Sequence, residues 1–124
     1  MTNNQALLVS NYCGILYDSK QITFGVANRL AKNSKFYNKI QEEVSEIKKR
    51  GIEREEKEEA IIEELHAFGQ AQFEENFQTI DLALIENLAY EELPVVVSRG
   101  EDKVQENWKI SDMLIVLQEL EIIK

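Results

Sequence analysis

The chain has 124 residues, 44% hydrophobic and 30% charged, with 23 acidic against 14 basic side chains and a net charge of −9. That length supports one domain with a real core. The acid excess repels nucleic acid unless a local basic patch exists, and it favours basic partners. A single cysteine, Cys13, excludes an intramolecular disulfide and points to a reducing compartment.

In chain order, the first expected element is a helix through MTNNQALLVSNYCGILYDSK. Thr2 or Asn3 caps it, and Leu7, Leu8, Tyr12, Ile15 and Leu16 recur at helical spacing. Asp18-Ser19-Lys20 reads as a turn, and Thr23 caps a long helix from about Phe24 to Arg50 that stops at Gly51. That helix carries a heptad seam of Val26, Leu30, Tyr37, Ile40, Val44 and Ile47, and the seam also passes through Asn33. Two readings of Asn33 stand. Either the seam is wet or interrupted there, or the amide fixes the register of a buried pairing, within a hairpin or between two copies.

A second long helix is expected from 52–54 to about Gln78, with apolar positions at Ile61, Ile62, Leu65, Phe68, Phe73 and Phe77. Its almost wholly charged start, EREEKEE, faces the basic KKR that ends the preceding helix, as the tip of an αα-hairpin. TIDLALIE alternates like a strand, although LALIENLAYEEL also suits a helix. VVVS reads as a short strand, Ser98 to Lys103 as a turn and 107–110 as a last extended piece. Ser111 then caps a closing helix. The expected fold is mainly α within the α+β class. A long antiparallel helical hairpin over about 23–78 stands on a small base of short strands and two shorter helices, built from 1–22 and 79–124.

Few constellations in the sequence suggest chemistry. Glu63 and His66 share a helix face at the spacing used in carboxylate–histidine metal bundles, with Glu59 one turn earlier and Glu43 or Glu46 as further carboxylates. The chain has one histidine, so a second such pair requires a dimer. Arg99, Lys103 and Lys109 are candidate contacts for a ligand phosphate. Cys13 has no charged neighbour in NYCGIL to activate it. No phosphate loop, nucleophile elbow, CxxC or HExxH is present, so no enzyme and no cofactor are expected. The N-terminus lacks a secretory pattern and the apolar runs are far shorter than a membrane span. The expected location is therefore the cytoplasm, with no membrane partner and no direct nucleic-acid binding.

The order of parts carries a resemblance. ILYDSKQITFGVANRLAKN leads into a charged hairpin, FGQAQFEENFQTIDLALI returns from it, and ISDMLIVLQELEII closes the chain. This resembles an uncharacterised family of short proteins encoded by phages and prophages of low-GC Gram-positive bacteria. The segment LAYEELPVVVSRGEDKVQENW lies outside the likeness. The resemblance implies a virion-assembly or chaperone role, or a counter-defence role in the host cytoplasm.

The expectation is a non-enzymatic interaction protein that docks on another protein or on itself, with Asn33, Tyr37, Glu55, Glu56, Glu58 and Glu59 as interaction residues. The alternatives are an inhibitor that binds a host defence protein through its acidic surface, a signalling-nucleotide sponge, and a dimeric Glu/His metal protein.

Overall fold

The first helix, α1 (Asn3–Tyr17), starts on a reciprocal cap. The Thr2 hydroxyl accepts from the Gln5 N–H, and the Gln5 side chain accepts from the Thr2 N–H. The computed structural model describes residues 1–19 and 21–124, so Lys20 of the expected 18–20 turn lies outside the described residues. Thr23 caps the second helix, α2 (Phe24–Glu53), as expected. At 30 residues it is about 45 Å long. The two helices run antiparallel. Ala6 packs with Ile40, while a Cβ placed on Gly14 would lie 3.6 Å from Ser34.

α2 passes through Gly51 and stops two residues later. Gly51 is needed for closeness instead of for a stop, since a Cβ there would fall 2.5 Å from the Ile61 side chain. The stop is made by Glu55, held at φ 55°. The Glu56 N–H donates to the Gly51 carbonyl at 3.0 Å and the Glu55 N–H to that of Ile52 at 3.1 Å, a Schellman ending built on glutamate.

The next helix, α3 (Glu58–Gln70), is much shorter than the expected run to Gln78. It returns antiparallel along the C-terminal half of α2 and ends against the start of α1. The Asn3 N–H donates to the Ala71 carbonyl at 2.9 Å, and Asn3 Nδ2 donates to the Phe68 carbonyl at 2.7 Å. α3 and α1 thus lie end to end beside α2. The last carbonyls of one meet the first N–H of the other, which satisfies orphan groups of both helices and aligns their dipoles favourably.

From Ala71 to Asp81 the chain is an extended strap laid down α2 toward its N-terminus. Lys39 Nζ meets Glu75 at 2.6 Å. Phe36 packs edge-on against Phe73 and Phe77, with ring centroids 5.3 and 5.0 Å away. Asn33 holds Gln78, and Arg29 Nη1 donates to the Thr79 carbonyl at 2.8 Å. The strap ends in a bridge between Ile80 and Ile123.

Neither the strand expected in TIDLALIE, 79–86, nor the alternative helix through LALIENLAYEEL forms; two 3-10 turns, Leu82–Leu84 and Glu86–Leu88, take their place. Asp81 curls the chain by accepting from the Ala83 N–H at 3.0 Å. The inward residues then recur every third position, at Leu82, Ile85 and Leu88.

Two strands follow, β1 (Glu92–Arg99) and β2 (Asp102–Lys109), as an antiparallel ribbon that turns at Gly100-Glu101. Gly100 takes φ 67°, as the first turn position of a two-residue hairpin demands. α4 (Ile110–Glu119) follows β2 directly. Ser111 does not cap it. The Ile110 N–H donates instead to the carbonyl of Glu91, just before β1, at 3.0 Å.

The main core joins Val9, Cys13 and Leu16 of α1, Val26 and Leu30 of α2, Ile85 and Leu88 of the turns, and the inner face of α4. A satellite of Ala6, Ile40 and Phe73 sits under the junction of α3 with α1. Among the described residues the chain is mainly α, 60% helical with four α-helices and one two-stranded sheet. Among the described residues, no helix is long and apolar enough to cross a membrane.

Candidate functional site

The far end of the α2–α3 hairpin is an arm two helices thick, because α1 covers only the other half of α2. Glu55, Glu58 and Glu59 are exposed at its tip, and Glu56 is half-buried. Glu58 and Glu59 occupy the first turn of α3, where the helix dipole favours acidic residues. The basic end of α2 reaches α3 once among the described residues, from Arg50 to Glu64 at 3.9 Å. Between these charges Ile52 is 71% exposed and Ile62 56%.

Asn33 does not reach the surface. It has 0% exposure in an uninterrupted helix, and its carboxamide bonds both polar groups of the Gln78 backbone, at 2.9 and 2.7 Å. The wet and interrupted readings both fail. The register that Asn33 sets lies within the chain, which leaves its amide unavailable to a partner. Tyr37, one turn on, is 36% exposed, and its hydroxyl accepts from Gln41 Nε2 at 3.3 Å.

The three candidate phosphate contacts do not converge. Arg99 pairs with Glu106. That guanidinium, followed by the Trp108 indole N–H, holds the Glu106 carboxyl below the usual carboxylate range. By the ribbon register, Lys103 and Lys109 share the face opposite to that of Arg99. They stand six positions apart, about 20 Å along the strand.

Glu63 and His66 are both exposed on α3. Among the described residues, no group of three or more His, Cys, Asp or Glu side chains is placed to hold a metal ion. Cys13 is buried in the core. Burial pushes its thiol up to about 12, against a smaller lowering by a hydrogen bond with the Asn33 side chain. That environment disfavours the thiolate a nucleophile needs.

One surface feature escaped the sequence reading. A trough of about 630 Å³ runs between the outer edge of β1 and the helices. Its strand wall is Leu93–Val97, and its floor includes Ile15 of α1 and Tyr37 of α2. The signal was the alternation of Leu93, Val95 and Val97, which are half-buried while Pro94 and Val96 are exposed. Trp108, opposite Leu93 in the register, closes one end and meets the Tyr12 ring edge-on at 6.3 Å. No family model, curated protein or solved structure matches the chain.

Proposed function

We propose that this chain is a non-enzymatic protein-binding protein whose acidic helical arm docks on a basic partner. The observation that carries the reading is the arm tip. Two isoleucines stand in solvent there, Ile52 at 71% and Ile62 at 56% exposure, among Glu55, Glu58 and Glu59. Exposed apolar side chains among charges with an acidic excess, five glutamates against Arg54 and Lys57 over 51–60, supply what a docking surface needs, contact area from the apolar groups and steering from the charge. The resemblance to phage and prophage proteins supports two settings in the host cytoplasm, assembly of a phage particle or inhibition of a host defence protein.

The test is affinity capture from a lysate of a low-GC Gram-positive host, with wild type and with a variant carrying Lys at 55, 56, 58 and 59. Circular dichroism first establishes that the variant folds. The expected result is a partner held by the wild type, lost by the variant and released by salt. Identical capture by both proteins would remove the acidic arm from the reading.

A further inference from the structure

We propose that the trough beside β1 receives an extended basic peptide segment of a partner protein, which adds to the ribbon as a third strand. This surface is separate from the arm tip.

The argument starts from hydrogen-bond phase. The two-residue turn makes Arg99 and Asp102 a hydrogen-bonded pair, so Val97, Val95 and Leu93 also bond inward to β2. The bond from the Ile110 N–H to the Glu91 carbonyl continues the same phase. Glu92, Pro94, Val96 and Ser98 therefore direct their backbone polar groups away from β2. This phase explains how Pro94 sits inside a strand, since its missing N–H belongs to the outer edge. The remaining outer donors are the N–H groups of Glu92, Val96 and Ser98, and all four carbonyls accept.

The trough matches a strand in shape. Leu93 to Val97 spans about 17 Å of edge, room for roughly five residues of an incoming strand. Alternate side chains of that strand face Ile15 and Tyr37 on the floor, so alternate positions are apolar. A two-stranded ribbon is marginal in water, and a third strand over an apolar floor stabilises it. Backbone pairing with pockets for alternate side chains is the β-augmentation mode of peptide recognition.

Charge selects the occupant. Asp18 is the one charged side chain among the described residues lining the trough, and Glu91 and Glu92 stand at the start of β1. A segment with lysine or arginine between its apolar residues turns those cations to the face of Glu92, and a lysine at its end, beyond the roughly five residues on the trough, reaches Asp18. A second copy of this chain brings another net charge of −9 to the same edge and is repelled.

The probe is a labelled seven-residue peptide of alternating lysine and valine. Binding is followed by fluorescence anisotropy, and backbone amide exchange by nuclear magnetic resonance. The expected result is saturable binding that slows exchange at Val96 and Ser98 at least tenfold. Val96→Pro removes an outer donor and spares the inward ladder, so it weakens binding tenfold or more. Asp18→Asn weakens binding severalfold, and the variant with lysines at the arm tip still protects Val96 and Ser98 at saturating peptide.

The proposal is overturned by absence of binding up to millimolar peptide, by protection confined to the arm tip, or by equal binding to a folded Val96→Pro. Protection of Val96 that grows with protein concentration in the absence of peptide also overturns it, because a second copy then fills the trough. If Val96→Pro fails to fold, exchange at Val96 and Ser98 in the wild type decides the question alone.

Discussion

Asn33 holds Gln78 by both polar groups of its backbone. The amide Nδ2 donates to the Gln78 carbonyl at 2.9 Å, and the Gln78 N–H donates to Oδ1 at 2.7 Å. One side chain thus supplies the two bonds that a neighbouring strand would otherwise give, at a point where the strap has only a helix beside it. Asn33→Ala removes both bonds and leaves a small cavity, at a cost of about 3 kcal/mol. Urea denaturation measures this, and a change under about 0.5 kcal/mol would show that water replaces the amide without penalty. Because the pairing is internal, Asn33→Leu lowers stability and leaves the mass by light scattering equal to that of the wild type.

The aromatic cluster holds the same strap one turn further along α2. Phe36 touches Phe73 and Phe77, which lie four residues apart in the strap. Phe36→Ala costs about 3 kcal/mol and increases amide exchange in 72–78 before it does so in α1. Uniform acceleration across the chain would show that the strap does not open separately.

Two glutamates occupy backbone positions that suit glycine, Glu55 at φ 55° and Glu121 at φ 62°. Both end helices in the same way, with the Glu121 N–H donating to Gln118 and the Ile122 N–H to Leu117. Glu55→Gly and Glu121→Gly are each expected to stabilise the fold by about 1 kcal/mol, from relief of left-handed strain. A lower midpoint for either variant would show that the glutamate side chain contributes more than its backbone costs.

Glycine substitutions in α2 should change sign with position. A methyl added at Gly25 meets open space, so Gly25→Ala stabilises by about 0.5–1 kcal/mol through helix propensity. At Gly51 the same methyl meets Ile61 at 2.5 Å and forces α3 away from α2. Gly51→Ala is expected to lower the thermal midpoint and loosen the arm, and a raised midpoint would mean that Ile61 gives way freely.

Cys13 predicts a pH dependence. Its ordinary pKa of 9.0 is raised to about 12 by burial, so the folded chain keeps a proton that the unfolded chain releases. Below pH 9 both states are protonated and the thiol contributes no slope. Above it the unfolded state binds fewer protons, and stability falls as pH rises, by up to about 1.4 kcal/mol per pH unit. Denaturation at pH 8, 9 and 10 should show this slope in the wild type and its loss in Cys13→Ala, and equal slopes would assign it to other groups.

Periodicity and caps carried much of the fold. The α2 seam apart from Tyr37, which is exposed while Phe36 beside it packs on the strap, the Thr2 and Thr23 caps and the short VVVS strand are visible as spacing and composition. The strap was not. Phe73 and Phe77 stand four apart, as on a helix face, but Asn33 and Phe36 recruit that segment as extended chain, and tertiary contact overrides local preference. Gly51 misled for a related reason, because a glycine after a basic stretch reads the same whether it caps a helix or admits a neighbour's side chain. The acidic tip was legible as a charge run. The trough was not, since its two walls come from residues near 15 and 95 that only the fold brings together.

Both ends of the described chain are fastened to one strap. Met1 and Asn3 bond to Phe73 and Ala71, while Ile122 and Lys124 bond to Ile80 and Leu82. Domains usually fray from their termini, but here residues 1–3 and 122–124 are clamped to the middle of the chain, and the weakest point moves to the arm. A protease should therefore nick first near Lys57, leaving two fragments that stay associated because the bonds of Met1 and Asn3 in the first hold Phe73 and Ala71 in the second.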